Sequence, residues 1–322
     1  MSIFNTGVSL LKKHKVVPVF LTISNDFAPY AAASINSLMK KSNKNRYYRI
    51  HVLYDKLSLT NRWRLRNLVT KNCAIEFHKM KYSLPLQIVA AYCATKTGSG
   101  DFFSSAVYYY RCFIPRLFPQ YDKAVYIDSD TILLGDIGEL FDLDLKDNAI
   151  AARIDPKVSH IPEFKAYVEN ALGIPAKEYV NSGVLVMDLK KLRKLIYITQ
   201  MTDLMKKYDA SLVAPDQDYL NIILRGQILP LDPVWNLHPE KTLQKGAKLM
   251  YFNLFSKPWH YKNVDQENLF WNAAKGTGFY NELKRRQEAF DKEAQAQDHA
   301  KVGALIQKAA KLGESKQPII KK

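Results

Sequence analysis
The chain has 322 residues, 47% of them apolar, and a formal net charge of +16. That length allows one large domain or two small ones around a real buried core. No run approaches the roughly 18 apolar residues that span a bilayer. The opening stretch, Met1 to Leu11, is weakly apolar and is followed by Lys12, Lys13 and Lys15. That order of charge and apolar residues is wrong for a secretory signal. Cys73, Cys93 and Cys112 lack metal-type spacing, so free thiols in a reducing cytosol are expected.

In chain order, Val16 to Ser24 reads as a first strand with Pro18 near its start. Ala28 to Lys40 reads as a helix carrying Ala31, Ile35, Leu38 and Met39 on or near one face. Tyr48 to Tyr54 alternates as a second strand, Thr60 to Val69 reads as a helix with Thr60 a candidate N-cap, and Ala74 to His78 is a short strand. Ala106 to Phe118 reads as an aromatic-rich helix broken by Pro115, and Ala124 to Ile127 as a strand. Val180 to Leu189 follows as a strand after a turn, and Pro215 to Leu224 as a helix. Strands and helices in alternation argue for an α/β fold. Asn281 to Leu312 reads as one long charged helix, with a thin apolar stripe of Phe290, Val302, Leu305, Ile306 and Ala309. Such a helix can lie on a membrane interface, pack on the domain or bind a partner. The tail after about residue 313 is expected to be disordered.

The positive charge gathers between Lys40 and Lys81, with Arg46, Arg49, Arg62, Arg64, Arg66 and Lys71, and again in the last forty or so residues. Nucleic acid, an anionic membrane and an anionic substrate would each suit it. No zinc-finger, RRM or KH signature supports nucleic acid, and solvated basic faces that aid solubility account for part of the charge.

The segment Val125-Tyr126-Ile127-Asp128-Ser129-Asp130-Thr131 is the most informative. An apolar strand runs into two carboxylates one residue apart. Ligand crevices in open α/β sheets lie at the carboxyl ends of strands. Two acids there repel unless a cation lies between them, and hard divalent ions bridge carboxylates to phosphates. A surface turn is the plain alternative, but apolar residues flank the pair on both sides.

Three further clusters have a chemical and a plain reading each. Asn181-Ser182-Gly183 precedes an apolar strand ending in Asp188; it would reach a substrate hydroxyl or form an ordinary turn. Pro215-Asp216-Gln217-Asp218 opens a helix, where acids are favoured by the helix dipole alone. From Tyr251 to Trp259, Lys257 would neutralise a phosphate, and Trp259 would stack on a sugar or fill the core.

In this order and spacing the motifs Tyr126-Ile127-Asp128-Ser129-Asp130-Thr131, Gly135-Asp136-Ile137, Asn181-Ser182-Gly183-Val184, Asp216-Gln217-Asp218 and Lys257-Pro258-Trp259 make the chain resemble the retaining family 8 glycosyltransferases, from about Val16 to Tyr261. The resemblance implies a Rossmann-like GT-A domain over residues 1–262, with a mixed, mostly parallel sheet, and a basic helical extension over 263–322. It implies that Asp128 and Asp130 hold Mn2+ or Mg2+ on the donor diphosphate. Thr22, Ser24, Asp26 and Ser129 would line the nucleotide pocket. Arg111 and Asp155 would contact the sugar, Asn181 would bind near the sugar or acceptor, Asp216 and Gln217 would sit beside the anomeric carbon, and Lys257 would steady the leaving diphosphate.

Two positions depart from the family pattern. Tyr251 stands where a histidine metal ligand is usual, six residues before Lys257; a phenol of pKa about 10 is a poor ligand, so Asn253 or water would substitute. Ser24 stands where the bacterial enzymes often carry an Asp that reads the base. The expected function is metal-dependent transfer of a hexose from UDP-galactose or UDP-glucose to a lipopolysaccharide-core or related glycan or glycolipid. Front-face attack is favoured because Gln217 is a poor nucleophile. The expected location is cytoplasmic, with an anionic inner-membrane surface as a peripheral partner. A soluble-acceptor transferase of glycogenin or capsular kind and a non-catalytic nucleotide-sugar or glycan binder are the alternatives.

Overall fold
The computed structural model describes residues 15–80, 106–195, 197–208, 212–315 and 317–318. Cys93, the opening stretch Met1 to Leu11 and part of the tail lie outside the described residues. The described strands are β1 (Val16–Ile23), β2 (Tyr47–Tyr54), β3 (Cys73–Lys79), β4 (Lys123–Ile127), β5 (Thr131–Leu133), β6 (Ile150–Ala152), β7 (Val184–Asp188), β8 (Ile228–Pro230) and β9 (Leu249–Tyr251). The chain divides into two compact units. One comprises Met1–Met80, Tyr121–Asp144 and Val234–Glu288; the other comprises Lys81–Gln120, Leu145–Pro233 and Ala289–Lys322.

In the first unit the strands run in the order β3-β2-β1-β4, all parallel. β1 (VVPVFLTI) is buried at every position after its first, as expected for a parallel strand covered on both faces. Pro18 precedes the ladder that joins Val19 and Phe20 to Val125 and Tyr126, where its missing N–H does least harm. Helix Ala28–Lys41 returns the chain from β1 to β2, and helix Leu59–Arg66 from β2 to β3. The third parallel neighbour, β4, lies on the other side of β1. The direction of winding therefore reverses between β1 and β4, and a crevice at their carboxyl ends follows from that reversal. The antiparallel pair β5–β9 continues from β4 and sets Thr131 opposite Tyr251.

Several local expectations shift here. Helix Leu59–Arg66 is capped by Ser58, whose hydroxyl accepts from the Asn61 amide at 3.1 Å, so Thr60 lies inside the first turn. Trp259 is 1% exposed and stacks on Tyr30 with ring centroids 4.3 Å apart, which makes it a core residue.

In the second unit β6 pairs antiparallel with β7 and parallel with β8. Ala106–Phe113 forms a 3-10 segment, followed by a short α-helix, Ile114–Leu117. Pro115 lies in the first turn of that helix, where its missing N–H is harmless, so it starts a helix instead of breaking one. The long charged helix expected after Asn281 is two helices, Tyr280–Ala289, all but its last residue in the first unit, and Lys292–Gly313 in the second. Asp291 stops the merger by capping the latter, accepting from the Ala294 amide at 2.9 Å. Val302 and Ala309 of Lys292–Gly313 are buried, and the helix packs on the segments Pro162–Ala166 and Tyr167–Ala171. Packing on the domain, one of the three readings open for the apolar stripe, is thus realised.

Candidate active site
In the first unit, β4 ends at Ile127 and Asp128 follows at once, half-buried, with Ser129 buried and Asp130 half-buried beyond it. Both Asp128 oxygens receive phenols: Oδ1 from Tyr126 and Oδ2 from Tyr251, each at 2.7 Å. The Asp128 carbonyl accepts the Thr131 hydroxyl at 2.8 Å, and the Asp130 carbonyl accepts the Phe252 amide at 3.0 Å, tightening the turn between β4 and β5. Thr22, at the end of β1, is buried, with its hydroxyl 3.0 Å from that of Tyr126. The structure thus connects Thr22, Tyr126, Asp128 and Tyr251 into one chain of oxygens. Ser24 and Asp26 follow β1 in a turn; the Asp26 side chain is exposed, and its carbonyl accepts from Arg286 at 2.7 Å.

Asn253 and Lys257 lie in the loop after β9. The Asn253 carbonyl accepts the Ser256 amide, and the Lys257 carbonyl accepts the amides of His260 and Tyr261. Leu254 in this loop has φ of 49°, a left-handed conformation that costs a branched side chain energy and recurs at functional loops. The oxygen-rich surroundings of Asp128 fit a hard divalent ion. The two phenols orient Asp128, and carboxylate oxygen is the ligand type such an ion prefers.

In the second unit, ladder contacts between Arg153 and Asn181 and between Asp155 and Tyr179 bring the Asp155 and Asn181 side chains together. Asn221 pins this junction by bonding both the amide and the carbonyl of Val180. Gln217, in the first turn of helix Pro215–Ile223, is gripped at both ends. Its oxygen accepts from Asn181 at 3.2 Å and from the Ser182 amide at 3.0 Å; its nitrogen donates to Asp155 at 3.0 Å and to the Tyr179 hydroxyl at 3.2 Å. Asp155 also caps its own short helix through the Lys157 amide and accepts from Asn181 at 3.2 Å. Arg111, 3% exposed, donates to the Ser182 carbonyl at 2.6 Å and faces Asp216 Oδ2 at 3.4 Å. Arg111, Asp155, Asn181, Ser182 and Asp216, all buried, therefore form one polar network with the half-buried Gln217. A buried network of this kind is tolerable only because its members satisfy one another.

Some residues of these networks escaped sequence reasoning. Tyr126 read only as strand filler, although its place two residues before Asp128 puts both on one face of the chain. Asp218 shares a motif with Asp216 and Gln217 but points elsewhere. It is fully buried, accepts from Tyr179 at 2.6 Å, Tyr167 at 2.8 Å and the Ala214 amide at 2.8 Å, and burial pushes its carboxyl up to about 6. Asp136 is likewise a scaffold, accepting from the Tyr48 hydroxyl and the Gly138 amide. His238, whose ring centroid lies 5.8 Å from that of Tyr251, carried no motif signal.

The comparisons with known proteins agree with this architecture. Residues 18–263 match the family model described as glycosyl transferase family 8. A putative glycosyltransferase of Haemophilus influenzae is 26% identical over 248 residues, covering 76% of this chain and 70% of that protein. The lipopolysaccharide 1,2-glucosyltransferase of Escherichia coli is 27% identical over 173 residues, covering 48% of this chain and 50% of its own length. Among solved structures, the bifunctional glycosyltransferase WbbM superposes with a TM-score of 0.71 at 26% identity, over 85% of this chain and about half (52%) of that one. The galactosyltransferase LgtC, solved with donor and acceptor sugar analogs, gives 0.61 at 20% identity over 87% of this chain and 100% of that chain, a likeness of fold.

Fold and match together define a GT-A glycosyltransferase of retaining type. The chain belongs to glycosyl transferase family 8. Such enzymes use a sugar-nucleotide donor and a glycan acceptor, and generally a divalent metal. No helix among the described residues is long and apolar enough to cross a membrane.

Proposed function
We propose that this chain transfers galactose or glucose from a UDP-hexose to a lipopolysaccharide-core or related glycan acceptor, with retention at the anomeric carbon. The observation that carries the reading is Asp128, set at the carboxyl end of β4 beside the winding reversal and oriented by two phenols. Asp128 and Asp130 would hold Mn2+ or Mg2+. When bound there, the ion supplies positive charge to the diphosphate as the glycosyl–phosphate bond breaks. Lys257 would stabilise the same leaving oxygens. Thr22, Ser24, Asp26 and Ser129 would take the nucleoside. Arg111, Asp155 and Asn181 would hold the sugar, with Asp216 and Gln217 nearest the anomeric carbon. All of these groups fall within residues 1–262; residues 263–322 would serve as scaffold and basic surface.

The bonding in the second unit favours front-face attack. Gln217 is an amide and a poor nucleophile. Asp155 is occupied by two side-chain amides and a helix N-terminus, and Asp216 by Arg111 and Ser182. A carboxylate so engaged is a weak nucleophile, which leaves the acceptor hydroxyl to attack and the departing phosphate to take its proton. Turnover of UDP-glucose and UDP-galactose with and without Mn2+ tests the reading. Gln217→Ala should leave measurable transfer and Asp130→Ala none. Loss of transfer in both variants with a trapped glycosyl-enzyme in the wild type would reject front-face attack. Absence of donor turnover in the wild type under every metal condition would favour a binding protein. The E. coli relative named for lipopolysaccharide glucosyl transfer supports the acceptor class.

A further inference from the structure
A second group of side chains in the first unit has the makings of a metal site and takes no part in the proposed transfer. His51 lies in the middle of β2, and the parallel register sets it beside Glu76 of β3, with His78 two residues further on. Side chains two apart along a strand share a face, so all three meet on one side of the sheet. Their ligand atoms lie within 4.8 Å of one another. His51 Nδ1 is 2.9 Å from His78 Nε2 and 3.5 Å from Glu76 Oε2, and His78 Nε2 is 3.7 Å from the same oxygen. Bonds of about 2.05 Å at tetrahedral angles put ligand atoms about 3.3 Å apart. The three observed edges bracket that separation.

We propose that His51, Glu76 and His78 bind a divalent ion that prefers imidazole, of the Zn2+ or Co2+ kind, at a site separate from the aspartate pair. Two nitrogens and one oxygen select such ions over Mn2+ and Mg2+, which prefer all-oxygen sets. The supports expected around a metal site are already in place. Tyr121 lies 3.1 Å from His51 Nε2, which fixes Nδ1 as the nitrogen turned to the cluster, and Phe20 stacks on the ring at 4.6 Å. Arg49 engages the other oxygen of Glu76 at 3.1 Å, leaving Oε2 toward the histidines. The His51 side chain is 1% exposed while those of His78 and Glu76 are 32% and 40% exposed, so the cluster has a buried floor and an open mouth for a water as fourth ligand. The competing arrangement needs no ion: His78 Nε2–H donating to His51 Nδ1. Binding converts it to the metal form by moving the His78 proton from Nε2 to the Nδ1 of the same ring, with no net proton released.

Co2+ titration of the full-length protein tests the proposal. Saturation should produce the visible absorption of a four-coordinate nitrogen and oxygen site, with amplitude for one such site per chain. The bands should persist in Asp130→Asn and vanish on adding one equivalent of Zn2+. His78→Gln should abolish them and weaken Zn2+ binding at least tenfold, and Glu76→Gln, at the more exposed position, should weaken it in the same direction. In the Asp130→Asn background the unfolding temperature should rise with Zn2+, and it should stay unmoved when His78→Gln or Glu76→Gln is added. Absence of the bands at saturating Co2+, or wild-type Zn2+ affinity in either variant, would overturn it.

Discussion

At the scale of single residues, Tyr251 occupies the place of an expected histidine ligand, and its hydroxyl donates to Asp128 instead. Removing it with Tyr251→Phe deletes an orienting contact around the proposed metal carboxylate. Such losses typically cost about 10–100-fold in metal affinity, so the Mn2+ concentration for half-maximal activity should rise by about that factor. An unchanged metal dependence would mean that the phenol does nothing for Asp128. Asp218 makes a different kind of statement. The folded chain holds its proton to higher pH than the unfolded chain does, because burial penalises the charged form. The stability this group contributes is therefore fully present below about pH 4 and lost as pH rises through about 6. The shift amounts to about 3 kcal/mol. Urea midpoints measured on either side of that window should separate by correspondingly less in Asp218→Asn than in the wild type. Equal separation would place the pH dependence elsewhere.

At the scale of elements, Lys292–Gly313 ends where the backbone must pass very close to its neighbour. A Cβ on Gly313 would lie 2.9 Å from the Tyr167 amide nitrogen and 3.0 Å from the Ala166 carbonyl carbon. The Asn170 side chain also bonds the Gly313 carbonyl at 2.8 Å. Gly313→Val should thus destabilise the protein by about 1–3 kcal/mol through overpacking, read as a lower denaturation midpoint, while Gly303→Ala, with nothing within 4 Å of its added carbon, should not. Much of this scale was legible beforehand. The strands around Asp128 and the helix opening with Asp216 fall where apolar runs and turn residues place them. The helix break at Phe290–Asp291 was not, because the charge pattern on both sides is continuous and only a cap marks the stop. The Ser58 cap lies two residues before the expected one because Ser58 and Thr60, on either side of Leu59, offer equal local claims. Within the candidate site, the motifs named most of the acids and amides. Tyr179 lies outside every motif and is placed by tertiary packing, and the bonds that Ser182 makes to Arg111 and Gln217 have the same origin, which no local pattern encodes.

At the scale of the whole molecule, the net charge of +16 makes one measurable demand. The full chain should pellet with vesicles containing anionic lipid at low salt and release near about 0.5 M salt, where screening extends only a few ångströms. It should ignore vesicles of zwitterionic lipid alone. Salt-insensitive retention would point to apolar insertion, and no retention on anionic vesicles would remove the membrane from the list of partners. The packed face of Lys292–Gly313 favours the electrostatic outcome.

The chain contributes three separate stretches to each unit, and the stretches alternate. Neither half can be released by trimming from one end. On the ribosome, β5 must wait for β9, since Thr131 and Tyr251 are partners drawn from far apart in the chain. The carboxylate proposed to grip the metal is therefore finished only after β9 has been made. A nascent chain arrested before Tyr251 would display Asp128 with only one of its two phenols, so competence to hold a donor would arrive abruptly, once Tyr251 can fold back onto β5.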